Sequence, residues 1–201
     1  MASKGVVSSI TGIFSSRKAE KFETLLEQGR IEYESRDYQK AIGYLEKAVA
    51  ESEDKEVHKK HLQLAHIYLG RSLDGLRKYD ESVRHFDKAI EIDPRFHLAW
   101  YNKGCSLMDQ NAYEKALKHF DKALELSPRF QEAVARKGDA YLLAGNLEKA
   151  LEHYGEILAQ DKENPHAKKQ VEKIKTELRA REQRRKVSMN ERWSEGLLNR
   201  R

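Results

Sequence analysis

Gly70, Gly104 and Gly138 stand 34 residues apart, and they do not recur alone. Leu73, Leu107 and Tyr141 keep the same interval, as do Tyr79, Tyr113 and Leu147. So do Ser82, Ala116 and Ala150; Phe86, Phe120 and Tyr154; and Ala89, Ala123 and Ile157. Pro94 and Pro128 close two of the periods. A period of this length, with small and aromatic columns recurring together, marks stacked helical hairpins. One hairpin cannot bury its apolar face alone. A stack can, and stability then becomes a sum over units and the interfaces between them. Such a chain is not built around one enclosed catalytic core, so the question of function turns from reaction to partner.

An earlier copy lies upstream in a different phase. Gly29, Tyr38, Ala41, Leu45 and Ala48 repeat the internal spacing of Gly70, Tyr79, Ser82, Phe86 and Ala89 at an offset of 41. Residues 18–164 therefore divide into four units, 22–55, 63–96, 97–130 and 131–164, with an insert at 56–62. Within the third unit, Trp100, Gly104 and Leu107 fall at i, i+4, i+7 on one helix. Ala116, Phe120, Ala123 and Leu124 form the facing stripe of a second helix, and Asp109-Gln110-Asn111 between them is turn-like. Glycine and alanine let paired helices approach closely. Asp93-Pro94 and Ser127-Pro128 stop the second helices, because proline cannot continue them. The apolar columns, Trp100 included, are expected to be core.

The third unit, Trp100-x3-Gly104-x2-Leu107…Tyr113-x2-Ala116-x3-Phe120-x2-Ala123-x4-Pro128, resembles the tetratricopeptide repeat family, and the resemblance spans residues 22–164. It implies an all-α fold: a right-handed superhelical array of helix–turn–helix hairpins, an α-solenoid, with a C-terminal capping helix. It also implies a non-catalytic protein-interaction adaptor or scaffold. The departures sit mostly toward the ends. Lys103 and Lys137 occupy a column that holds Leu69 in the second unit and Gln28 in the first. Glu32 stands where later units have Leu73, Leu107 and Tyr141, and no proline closes the fourth unit.

Charge is uneven. Residues 1–164 hold 26 Lys+Arg against 28 Asp+Glu, whereas residues 165–201 hold 12 against 5. The overall +5 therefore belongs to the C-terminal end and is no nucleic-acid signature for the whole chain. Cys105 is the only cysteine, so no intrachain disulfide can form. No run approaches the ~20 apolar residues of a membrane span. A cytoplasmic location is expected.

Both ends differ from the repeats. Residues 1–17 lack acids and carry Val6, Ile10, Ile13 and Phe14 on one helical face. They read as a flexible or weakly amphipathic segment, a membrane-surface or partner-binding helix, or a transit peptide; Ser8, Ser9, Thr11 and Gly12 break the run a secretory leader needs. Residues 165–186 read as the capping helix, with Val171, Ile174 and Leu178 as its stripe. Arg179–Lys186 is strongly basic and offers weak potential contact with nucleic acid or anionic membrane. Residues 187–201 form a basic tail in which Met189, Trp193 and Leu197 are spaced i, i+4, i+8.

Catalytic chemistry finds no foothold: there is no glycine-rich phosphate loop, nucleophile elbow or zinc-protease motif. His58, His61 and His66 come nearest to a metal spacing but lack a completing carboxylate, so neither metal nor cofactor is expected. The expected site is instead a concave groove on the first helices, holding Arg30, Tyr33, Tyr68, Arg71, Tyr101, Asn102, Met108 and Arg136. Aromatics and arginine are favoured in interface hot spots, and the set suits a protein or peptide partner with acidic and apolar anchors. Some members of the family clamp a partner's terminal carboxylate with two lysines, two asparagines and one arginine. Asn102 and Arg136 fall on those columns here, but Ile67, Arg71 and Glu132 depart from lysine, asparagine and lysine, so that clamp is not expected. The alternative reading is a peripheral adaptor tethered to a membrane surface or nucleic acid by its amphipathic N-terminus and basic C-terminus. Self-association through the termini stays open.

Overall fold

The computed structural model describes the backbone of residues 3–52 and 59–198 and the side chains of residues 19–52 and 59–191. These form α1 (Ser3–Glu34), α2 (Tyr38–Glu51), α3 (Lys59–Gly75), α4 (Tyr79–Ile92), α5 (His97–Asp109), α6 (Tyr113–Leu126), α7 (Gln131–Leu143), α8 (Leu147–Gln160) and α9 (Pro165–Leu198), with no strand among the described residues. The chain divides into two compact units, Met1–Arg129 and Phe130–Arg201.

In the first unit α1–α2, α3–α4 and α5–α6 are antiparallel hairpins, and α2 and α4 also pack on the first helix that follows each of them. The recurring columns explain the pairing. A Cβ added at Gly70 would lie 2.5 Å from the Phe86 ring, and one at Gly104 would lie 2.6 Å from Phe120. Both rings are fully buried. The missing side chain is thus what admits the aromatic ring between the helices. Ala41, Ile42, Leu45, Leu69 and Leu73 close the α1–α2–α3 core, and Ile67, Phe86, Ala89 and Ala99 close the next.

Each hairpin turns the same way. The turn residues Arg36, Arg77 and Asn111 have φ of 64°, 61° and 61°, and Gly145 in the second unit has 79°. Around Arg77 the Lys78 N–H bonds the Leu73 carbonyl at 2.9 Å and the Arg77 N–H bonds Asp74 at 2.9 Å, the paired bonds that end a helix on a left-handed residue. Only the fourth turn uses glycine. A side chain in this conformation costs about 1 kcal/mol, so Arg77→Gly is expected to raise stability by about 0.5–1 kcal/mol and Gly145→Ala to lower it by about as much. Urea unfolding checks both; an unshifted Arg77→Gly midpoint would mean that the turn carries no strain.

In the second unit α7–α8 is a hairpin on which the start of α9 packs. Ala167, Val171 and Ile174 join Leu147, Ala150, Tyr154 and Ile157 in one core, so α9 covers the apolar face of α8. The structure differs from the sequence reading at three boundaries. Leu62, placed in the insert, is buried within α3. Helix α1 runs unbroken from Ser3, where a separate segment 1–17 was expected. Helix α9 does not stop at 186. No glycine or proline interrupts it before Gly196, and Glu177–Arg181 and Glu182–Lys186 pairs, at 3.0 and 2.7 Å, support its exposed stretch. The side chains of Val6, Ile10, Ile13, Phe14, Trp193 and Leu197, and all of His58, lie outside the described residues.

Candidate functional site

Tyr33, Tyr68 and Arg71 come together in the first unit. Tyr33 ends α1 and packs against Tyr68 of α3 with ring centres 5.5 Å apart, and against Tyr38 of α2 at 5.9 Å. The Arg71 guanidinium, one turn beyond Tyr68 on α3, lies 4.8 Å from the centre of the Tyr33 ring. Stacking on an aromatic face orients a guanidinium without neutralising it. Arg71 is exposed and forms no salt bridge with a described residue. Its charge is therefore presented outward on a fixed platform.

The other expected groove residues divide. Tyr101 of α5 is half-buried against Phe120, ring centres 5.9 Å apart. The half-buried Asn102 donates from Nδ2 to the Leu98 carbonyl of its own helix at 2.8 Å. Arg30 is held by Glu27 and Glu34 at 2.5 Å each, so its charge is already neutralised on α1. Met108 is 7% exposed and belongs to the core, not the groove. Arg136 lies in the second unit, exposed, with Asp139 at 3.7 Å. That carboxylate also accepts from the Tyr154 hydroxyl and sits 3.5 Å from His166, and burial with this hydrogen bond raises the Tyr154 pKa.

A polar network that sequence reasoning missed joins three helices of the first unit. The Ser106 hydroxyl of α5 lies 2.9 and 2.8 Å from the two carboxylate oxygens of Asp74 on α3. Ser82 of α4 reaches the Ser106 hydroxyl at 3.0 Å. Ser82 and Ser106 are fully buried. Burial pushes the Asp74 pKa up to about 6, despite the two serine hydroxyls that favour its charged form. The signal was present in the columns. Asp74 aligns with Met108 and Leu142, Ser82 with Ala116 and Ala150, and Ser106 with Ser72 and Ala140.

A second missed column is His85, His119 and His153, again 34 apart. Each packs against a first-helix ring of its own hairpin: His66, Trp100 and Tyr141, with centres 5.3, 5.6 and 5.4 Å apart. Trp100 is thus half-buried and stacked, with its indole N–H on the Pro94 carbonyl at 2.9 Å, rather than enclosed in the core. His66 and His85 meet Nδ1 to Nδ1 at 3.1 Å, so one neutral ring donates and the other accepts. His61 instead lies near Glu23 and Phe22, away from that pair. Among the described residues no three metal-ligating side chains converge, and no helix is long and apolar enough to cross a membrane.

The sequence pattern that defines the tetratricopeptide repeat matches residues 63–96 and 97–130, the α3–α4 and α5–α6 hairpins. This is a tetratricopeptide repeat protein. Solved tetratricopeptide structures share its fold. A MamA RS-1 ArsTM double mutant is 21% identical, with a TM-score of 0.66 over 78% of this chain and 84% of its own. The second tetratricopeptide domain of human RPAP3, in complex with the HSP70 peptide SGPTIEEVD, is 25% identical, with a TM-score of 0.53 over 57% of this chain and 97% of its own. The first such domain of Spaghetti (RPAP3), bound to the HSP90 peptide SRMEEVD, is 23% identical, with a TM-score of 0.54 over 58% and 94%. The full sequence has no match among curated proteins. Against the other hairpins of this tetratricopeptide chain, Asp74 and Ser82 are departures to polar side chains, and they meet Ser106, whose column also holds Ser72, at one α3–α4–α5 junction.

Proposed function

We propose that the chain is a non-catalytic adaptor whose first unit binds a peptide segment of a partner protein across α1, α3 and α5, with an acidic residue seated on Arg71. The observation that carries this reading is the Arg71 guanidinium, exposed, stacked on Tyr33 at 4.8 Å and in no salt bridge with a described residue, the half-buried Asp74 being a charge neighbour only. Tyr68, whose ring packs on Tyr33, supplies contact area beside it. The RPAP3 domain of the same fold is complexed with a peptide carrying two glutamates and a terminal aspartate, which supports an acidic ligand. Ile67 and Glu132 stand where that clamp type has lysines, so the acidic group is read as a side chain rather than a chain terminus.

A peptide-display selection on the full chain tests this. The enriched peptides are expected to carry Asp or Glu within an apolar motif. Arg71→Glu should weaken them at least about tenfold, the scale of a lost charge-assisted contact plus repulsion. Arg30→Ala should change affinity little, since Glu27 and Glu34 already neutralise that side chain. Peptides without acidic enrichment, or bound equally by Arg71→Glu, would remove the site from this face.

A further inference from the structure

The apolar residues in the two halves of α1 fall at different register positions. In the hairpin half, Phe22, Leu26, Gly29 and Tyr33 face α2 and α3: Phe22 is fully buried, Leu26 and Tyr33 pack on the α2–α3 core, and Gly29 abuts Leu45. In the preceding turns, register places Val6, Ile10, Ile13 and Phe14 on one line. At 100° per residue the centres of these two stripes are about 145° apart. The early stripe is therefore not the hairpin seam continued. Helix α2 also ends at Glu51, whose carboxylate meets Lys21 at 2.6 Å. The turns before Lys21 thus lie past the last residue of α2.

We infer that residues 3–18 form a membrane-surface helix, whose Val6–Ile10–Ile13–Phe14 face enters the headgroup–acyl boundary of a lipid bilayer. Three features choose lipid over another protein. Between Lys4 and Arg17 the rest of this helix is Gly5, Val7, Ser8, Ser9, Thr11, Gly12, Ser15 and Ser16, all uncharged, so the stripe lacks the charges alongside it that fix register and partner between paired helices. The first carboxylate is Glu20, and Lys4, Arg17 and Lys18 stand at the two ends of the stripe. That balance complements anionic headgroups and repels none. The stripe is also far shorter than the ~20 residues of a span, so it lies in the interface plane rather than across it. With so little charge on the polar face, attachment rests on apolar insertion. It should favour small vesicles, whose outer leaflet has packing defects.

Flotation of the full chain with vesicles of seven parts phosphatidylcholine to three of phosphatidylglycerol decides it. The wild type is expected to float with small sonicated vesicles more than with large extruded ones, and to stay bound in high salt. Ile10→Asp/Phe14→Asp should reduce the bound fraction at least about tenfold. Because the stripe is off the hairpin seam, that variant should keep the wild-type circular dichroism and melting curve. Arg184→Glu/Arg185→Glu in α9 should float like the wild type. Three results would each overturn the inference: no flotation of the wild type; equal flotation of the aspartate variant; or loss with the α9 variant alone, which would assign binding to the basic helix. So would sedimentation showing, without vesicles, an oligomer that the aspartate variant dissolves, since the occupant would then be a second copy.

Discussion

Phe120→Ala is expected to destabilise the chain by about 3–5 kcal/mol. The ring is fully buried between α5 and α6, and the position it faces on α5 is Gly104. Glycine has no side chain to swing into the vacated space, and two helix backbones do not close on each other by a ring's width. The cavity therefore persists and adds to the lost transfer energy. The complementary change fails in the opposite sense. Gly104→Ala puts a methyl 2.6 Å from the ring, and overpacking should cost about 1–3 kcal/mol. Combining Gly104→Ala with Phe120→Leu should cost less than the two singles added, because the smaller side chain makes room for the methyl. Urea unfolding followed by circular dichroism measures all three. Strict additivity would mean that the two residues do not share one packing site.

Acid should weaken the first unit through His66 and His85, earlier than carboxylate titration would. Burial holds both pKa values down at about 4, against an ordinary 6.5, and the neighbouring Lys88, with Arg84 on His85, acts in the same sense while Glu81 opposes it. The unfolded chain takes up these protons first. The pair's contribution is thus complete above pH 6.5, begins to fall as pH drops through 6.5, and is gone below about 4. By pH 5 this is at most about 2 kcal/mol for each histidine, and less for the part-exposed His85, where solvent screens the charge. Asp74 works the other way. Its folded pKa of about 6 exceeds the ordinary 3.8, so its contribution is full below 3.8 and lost as pH rises through 6. Asp74→Asn should therefore be more stable than wild type at pH 7, by about 1 kcal/mol, with a steeper acid decline because the opposing group is gone. His85→Phe should flatten the decline. Melting temperatures of the three proteins from pH 7.5 to 4.5 give the answer; parallel curves for wild type and His85→Phe would acquit the histidine pair.

The hairpins were legible because their columns are local. Gly70 with Phe86, and Gly104 with Phe120, announce a close helix pair, and Pro94 and Pro128 announce where the chain turns back. The turn conformation was not legible at Arg36 or Arg77, because the bonds that end a helix there are made by backbone, and a long basic side chain can occupy a left-handed position at modest cost. The groove was only partly legible. Register alone placed Tyr33, Tyr68 and Arg71 on facing helices, but it treated Arg30 as equivalent to Arg71. The i−3 and i+4 glutamates that neutralise Arg30 were visible at Glu27 and Glu34 and went unused. Met108 was misplaced because the same column holds Tyr33, Asp74 and Leu142, whose environments differ with the neighbour each one meets.

The Asp74–Ser106 contact also bears on how such an array can lengthen. Ser72 occupies in α3 the column that Ser106 occupies in α5, but the preceding hairpin offers it Tyr33 rather than an aspartate, and its buried hydroxyl has no hydrogen-bond partner among the described residues. Tandem duplication of residues 63–96 would set the first copy's Asp74 beside the second copy's Ser72 and remake the junction, leaving Ser106 its own aspartate. Duplication of residues 97–130 would instead set Met108 against a second Ser106 and strand that hydroxyl in an apolar seam. The chain thus carries one unit that can be copied in place and one that cannot, a directionality of growth written into a single carboxylate.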